Sequence, residues 1–245
     1  MNPDYQILPW DTGFFGFKVA KIIPNRLSPA NLGQILELLR QQDVSLVYWP
    51  SDPSDEESQN AAILFEGFLA DKKTLYSIEL KNSSDVLTLK TKNCIEEFSE
   101  TIVSPDLVDL AIVSGAFSRF KVDTRFSPKK IEDLYKIWIT RSVNKTFADT
   151  VFVARNNGRI VAMITVSSRE QIGVIGLIAV DERMRGNNMG KDLITMAHIW
   201  YLAKGCTRGL VTTQGKNHVA CKLYERCGYT VERIHNYYHF WLKSA

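Results

Sequence analysis

An α/β fold of two unequal lobes is what the sequence predicts, from three observations. Apolar residues fill 45% of the 245 positions, enough for a sizeable core, and no apolar run nears the roughly 20 residues of a membrane span. Segments of helical and strand periodicity alternate along the chain. Charge divides it: residues 1–105 carry 9 Lys+Arg against 15 Asp+Glu, and residues 106–245 carry 21 against 12, behind a net charge of only +3. The acidic part is read as a smaller N-terminal α/β lobe, 1–105, and the basic part as a larger domain, 106–245, suited to an anionic ligand.

Each element has a local reason. Ala30 to Arg40 sets Leu32, Ile35, Leu36 and Leu39 on one helical face, and Val44 to Trp49 is a β-rich run ended by Pro50. A helix is expected from Asn60 to Ala70 and a strand from Thr74 to Leu80, after a polar loop at 50–59. Ser127-Pro128 supplies an N-cap and a first-turn proline for a helix to about residue 142, striped by Ile131, Leu134, Tyr135 and Trp138. Val151 to Val166 reads as a hairpin turning at Asn156-Asn157-Gly158. Ile172 to Val180 is apolar at every second position in both registers, which predicts a central strand covered on both faces. A helix follows with Leu193, Ile194, Ala197, Trp200 and Tyr201 on one side and Gly205 as its stop. Then come a strand at Gly209 to Gln214, a short helix ending at Gly228, and two strands, Tyr229 to Ile234 and Tyr237 to Leu242.

Cys94, Cys206, Cys221 and Cys227 are scattered without CxxC spacing, so they are expected as reduced thiols in or near the core. The start lacks the charged-then-apolar pattern of a signal peptide, which makes the cytoplasm the expected location. No nucleic-acid signature accompanies the basic half, so nucleic acid and membrane are set aside as partners; a small phosphorylated ligand fits at least as well. His235 and His239 share one side of a strand, but no third ligand joins them, and no metal is expected.

The order strand, Arg185-Gly186-Asn187-Asn188-Met189-Gly190, helix carries the most chemistry. A pyrophosphate needs several backbone N–H donors at one point, and a helix N-terminus supplies them with the positive end of its dipole; Arg185 and Lys191 add charge at either end. An ordinary αβ connection with a basic turn accounts for this stretch about equally well. The stretch resembles the acyl-CoA loop of the GNAT N-acetyltransferases, Arg/Gln-x-x-Gly-x-Gly/Ala, with Asn188 where the family has its first glycine. Asn is the non-glycine residue that best tolerates left-handed geometry. Downstream, "NHVACKLYERCGY" matches the second GNAT signature through Asn217, Ala220, Leu223, Tyr224, Gly228 and Tyr229.

"LPWDTGFFGFKVAKI", "GAFSRFKVDTRF" and "LYKIWITRSV" are similar to the TDP-fucosamine acetyltransferases, two-lobed GNAT enzymes of bacterial polysaccharide synthesis. The resemblance implies a GNAT fold, a mixed and mostly antiparallel sheet flanked by helices, with the N-terminal lobe contributing to the acceptor site. It implies acetyl-CoA as co-substrate and direct attack on its thioester by the amine of a TDP-linked 4-amino-4,6-dideoxy sugar. The strand residues Leu177, Ile178, Ala179 and Val180 would bind pantetheine by their backbone, residues 185–191 and Asn217 the rest of the cofactor, and Tyr224 would protonate the leaving thiolate. Ser118, Arg119, Asp123 and Arg125 form a polar cluster expensive to bury idly, with arginines suited to phosphate; they are candidate sugar-nucleotide contacts, or else an interlobe salt-bridge network. Trp10, Phe14, Phe15 and Phe17 are expected to pack the N-terminal lobe. The general base has no evident residue, Asp123 or His218 through water being a guess. Other readings are a GNAT enzyme for a peptide N-terminus, polyamine or antibiotic amine, and a non-catalytic CoA sensor; homodimerisation is left open.

Overall fold

Three helices begin on a serine followed by proline, which fixes φ for the first turn and removes a donor that has no intrahelical acceptor. Ser28 and Ser104 also accept from the backbone N–H of Asn31 and Leu107, whereas Ser127 caps by position without a side-chain bond. The computed structural model describes residues 4–80 and 90–243.

The chain opens with β1 (Tyr5–Ile7), α1 (Pro9–Phe15), β2 (Val19–Ile22), α2 (Pro29–Gln41), β3 (Leu46–Ser51), α3 (Glu56–Leu64) and the long β4 (Phe68–Glu79). The short β5 (Glu96–Glu97) precedes α4 (Pro105–Ser114), α5 (Arg119–Val122), α6 (Pro128–Val143) and the hairpin β6 (Thr150–Asn156) and β7 (Arg159–Arg169). The remainder is β8 (Ile172–Val180), α7 (Met189–Ala203), β9 (Arg208–Gln214), α8 (His218–Arg226) and β10 (Thr230–Trp241).

These strands form one sheet of ten in the order β1-β2-β3-β10-β4-β9-β8-β7-β6-β5. Among the described residues only β2–β3 and β8–β9 pair in parallel, so the sheet is mixed and mostly antiparallel as expected. The acidic and basic parts interleave, because β4 lies between β10 and β9.

Helices cover both faces. On one, α1, α4, α5 and α6 bury Phe15, Leu107, Phe120 and Leu134 against Tyr48 and Tyr237. On the other, α2 and α3 pack on Trp49, Tyr238 and Phe240, and α7 and α8 on Tyr76 and Val211. Alternation along β10 sends Tyr237 to the first face and Tyr238 to the second.

The differences from expectation have local causes. The helix expected over Asn60 to Ala70 starts earlier, because Asp55 caps it through the N–H of Ser58, and it ends at Leu64 before Glu66 turns to φ 55°. The two expected terminal strands are one, β10, which absorbs an extra residue between Val231 and Arg233 as a bulge; its buried Asn236 donates to Gln59 Oε1 at 2.7 Å. Trp10 is 42% exposed and stacks on Phe14, while Phe15 enters the core. Of the free cysteines only Cys206 is buried, and Cys94 is exposed.

Candidate acetyl-CoA and acceptor site

The parallel pairing of β8 with β9 runs from Ile172↔Arg208 to Ile175↔Val211 and stops there. Beyond it β8 continues beside β7 to Val180↔Ala162, and β9 continues beside β4 to Gln214↔Lys73. The two strands therefore splay, and the sheet opens into a cleft with an unpaired strand edge on either side. Because of this opening, β8 is not covered on both faces as its sequence suggests: Leu177 and Ala179 are buried, but Gly176 is exposed.

A bulge on β8 prepares the edge. Gly176 and Leu177 together oppose Thr165, and Leu177 N–H donates to Thr165 Oγ1 at 2.8 Å. A Cβ on Gly176 would lie 2.8 Å from that oxygen, so the bulge needs glycine. Asp181 N–H also points to β7, at Val161 O, and alternation turns the backbone of Ile178 and Val180 the other way, into the cleft. Of the four strand residues singled out from sequence, Ile178 and Val180 present backbone groups to the cleft, and Leu177 and Ala179 face β7.

At the mouth of the cleft, Val180 O accepts from Arg185 Nε at 3.4 Å. Gly186 has φ 84° and Asn188 φ 60°, the left-handed geometry the asparagine was expected to tolerate. Asn188 occupies the N-cap of α7 without a side-chain capping bond, so the first N–H groups of the helix, from Met189, Gly190 and Lys191, are left for a ligand. The Met189 side chain is buried, and Gly190 lets α8 come close, a Cβ there being 3.0 Å from Leu223. Asn93 and Asp192, which sequence reasoning missed, brace the turn: Asp192 accepts from the N–H groups of Lys92 and Asn93, and Asn93 Nδ2 donates to Asn187 O at 3.0 Å. Asn217 caps α8, its Oδ1 accepting from Ala220 N–H at 3.2 Å. Tyr224 is 2% exposed between Tyr76 and Tyr229, with no hydrogen-bond partner for its hydroxyl among the described residues; burial pushes its pKa up and keeps it protonated.

The acetyltransferase (GNAT) family model matches residues 117–229. The fold is a GNAT fold. Its β8–β9 cleft, N-terminal turn of α7 and α8 tyrosine lie inside the matched residues. A GCN5-related N-acetyltransferase from Sphaerobacter thermophilus shares the fold at a TM-score of 0.60, with 15% identity over 98% of this chain and 77% of that one. The spore coat polysaccharide biosynthesis protein SpsD of Bacillus subtilis (strain 168) is 28% identical over 55% of this chain and 46% of its own length. N-alpha-acetyltransferase 30 of Dictyostelium discoideum is 28% identical over 45% of this chain and 62% of its own length. The matches thus span less than two thirds of either relative. No helix among the described residues is long and apolar enough to cross a membrane.

The polar cluster singled out at 118–125 divides. Asp123, 1% exposed, accepts from His239 Nδ1 at 2.8 Å, Trp241 Nε1 at 2.9 Å and Arg125 Nε at 2.8 Å. Arg119 Nη1 lies 3.3 Å from His239 Nε2, and arginine only donates, so the histidine carries its proton on Nδ1. Burial pushes the Asp123 carboxyl up, but the bonds from His239, Arg125 and Trp241 outweigh it and hold the group below the usual range. Asp123 and Arg125 thus tie the 119–126 segment to β10, and the water route to Asp123 loses its basis. Ser118 caps α5 through Lys121 N–H, and His218 is exposed at the start of α8. Arg119 sets its guanidinium carbon over Tyr48 and Tyr237, 3.8 and 4.8 Å from the ring centroids.

Beyond Tyr237 on the same face lies a cavity of about 240 Å³ that the sequence did not reveal. Lys21, Lys73, Arg233 and His235 converge there from β2, β4 and β10, with Tyr237 as an aromatic wall and Thr212 of the cleft edge as its border. Lys73 Nζ sits 5.7 Å from the Tyr237 centroid. Burial, with Arg119, Lys21 and Arg233 close by, pushes the Lys73 pKa down; burial, Arg233 and Lys73 do the same to His235. Positive groups crowded until they resist their own charge favour an anion.

Proposed function

We propose that this chain is an acetyl-CoA-dependent N-acetyltransferase whose acceptor is the amine of a nucleotide-linked 4-amino-4,6-dideoxy sugar. The GNAT fold and the matched segment support acetyl transfer; the similarity to SpsD, a spore coat polysaccharide biosynthesis protein, supports a sugar. The observation that carries the acceptor class is the cationic cavity bordering the cleft. It suits a sugar diphosphate and repels a polyamine.

On this reading pantetheine lies along the free edge of Ile178 and Val180, and the N–H groups from Gly186 to Lys191 receive the pyrophosphate with charge from Arg185. Residues 106–245 supply the acetyl-CoA side, and residues 1–105 contribute Lys21 and Lys73 to the acceptor side. The amine attacks the thioester carbonyl directly, the C–S bond breaks, and Tyr224 protonates the thiolate. Its raised pKa keeps it in the acid form at neutral pH.

Release of CoA thiol from acetyl-CoA is measured with TDP-4-amino-4,6-dideoxygalactose, its 4-epimer, the free amino sugar, spermidine and a short peptide. Turnover confined to the TDP-linked sugars is the expected result. Turnover of the peptide would favour an α-amine acceptor, as the name of N-alpha-acetyltransferase 30 suggests, and no turnover with acetyl-CoA bound would favour a sensor.

A further inference from the structure

Resting on that reading, we propose that Asp71 is the base that takes the proton from the acceptor's ammonium group. Asp71 lies on β4 directly opposite Tyr237, two residues from Lys73, which puts it on the sheet face that carries the cationic cavity. It is 8% exposed, yet among the described residues its carboxylate makes no ion pair and no hydrogen bond to a side chain. A buried carboxylate that the backbone N–H of Lys72 satisfies only in part is costly, and such groups cluster where chemistry uses them.

The surrounding groups set its proton affinity. Lys73 and the N–H of Lys72 on its own strand, Arg119 from α5 and Lys216 after β9 favour the charged form, and Tyr237 faces it across the ladder. Burial outweighs them and pushes Asp71 up to about 7, where a base is half ionised at neutral pH. Asp123, fixed by its three side-chain donors, has no such freedom.

The two faces of the sheet separate base from acid. Asp71 lies on the face of α1, α4, α5 and α6, Tyr224 on the face of α7 and α8, and the cleft opens between them. The ammonium gives one proton to Asp71, which frees the nitrogen lone pair. The N–C bond forms and the C–S bond breaks. Nitrogen loses its second proton to solvent as the adduct collapses, Tyr224 gives its proton to the thiolate and recovers one from solvent, and Asp71 returns its proton to solvent.

The test compares wild type, Asp71→Asn and Asp71→Glu for kcat against pH with TDP-4-amino-4,6-dideoxygalactose, for acetyl-CoA affinity by calorimetry, and for Tm. Asp71→Asn is expected to lose roughly 10²-fold or more in kcat, to lose the acidic limb near pH 7, and to keep its acetyl-CoA affinity and Tm; Asp71→Glu recovers part of the rate. Asp71→Asn with near-normal kcat and an intact limb overturns the proposal, as does a parallel fall in Tm and kcat, the mark of a structural carboxylate. A wild type that binds acetyl-CoA but acetylates none of the panel amines overturns the acetyl-transfer reading and this proposal with it, whereas an active wild type with an indifferent Asp71→Asn overturns this proposal alone.

Discussion

Two polar clusters share one face of the sheet, a few residues apart along β10, and they are built from the same residue types to opposite ends. Around His239 the carboxylate is matched to imidazole, indole and guanidinium, and the imidazole to the neighbouring arginine. Around His235, two lysines and an arginine crowd together, and the nearby carboxylate of Asp71 is buried without an ion pair among the described residues. A satisfied network rigidifies the fold and does little else, whereas an unsatisfied one open to a cavity is poised for a ligand. The arginines that the sequence marked as ligand contacts belong mostly to the first cluster; the second was made by topology.

The comparison breaks most visibly at Asp123. Asp123→Ala strands a buried histidine, an indole N–H and an arginine, so unfolding in urea should show a loss of about 3–5 kcal/mol, with KM for the acceptor little changed in whatever enzyme remains folded. Next is the pH dependence of the same cluster. Burial holds His239 at about 4, against its partial rescue by Asp123, so the folded state resists protonation. Its contribution is complete above the ordinary pKa near 6.5 and is lost as pH falls from there toward 4, at a cost of about 3 kcal/mol. Urea midpoints between pH 7.5 and 4 should fall over that window, ahead of the lower range in which Asp123 itself takes a proton.

At the cleft, Tyr224→Phe should lower kcat by roughly 10²-fold with acetyl-CoA affinity unchanged; near-normal turnover removes the tyrosine from the acid role. A smaller effect sharpens the comparison from the open side. Arg233→Ala should raise KM for a TDP-linked sugar about tenfold, the scale of one charge-assisted hydrogen bond, and leave stability within about 0.5 kcal/mol. Arg125→Ala, whose side chain is 37% exposed, should cost at most about 1 kcal/mol of stability and change KM little.

The backbone of the β8–α7 turn was legible because its signals are local. The turn at 185–190, Asn188 in left-handed geometry, and the helix stops at Gly205 and Gly228 each follow from a few adjacent residues. The splay of β8 from β9 was hidden, since an apolar strand reads as covered whether or not its neighbour leaves it. The single β10 was hidden by Asn236, a polar residue that a strand core tolerates only because Gln59 receives it. The cationic cavity left no trace in any one segment. Lys21, Lys73 and Arg233 are unremarkable surface cations until β4 inserts between β10 and β9 and brings three distant stretches to one face. The aromatic and polar run at 115–126 was noticed for its composition, but composition does not reveal that Asp123 turns inward to β10.

The central claim is that the open cationic cluster reads the phosphates of the acceptor. The most direct test is the ratio of kcat/KM for TDP-4-amino-4,6-dideoxygalactose to that for the free amino sugar, in wild type and in a Lys73→Ala, Arg233→Ala double variant. A wild-type preference of roughly 10²-fold or more that collapses toward unity in the double variant, with the free-sugar rate unchanged, is the predicted result; a ratio near unity in the wild type, or one untouched by the double variant, would contradict it.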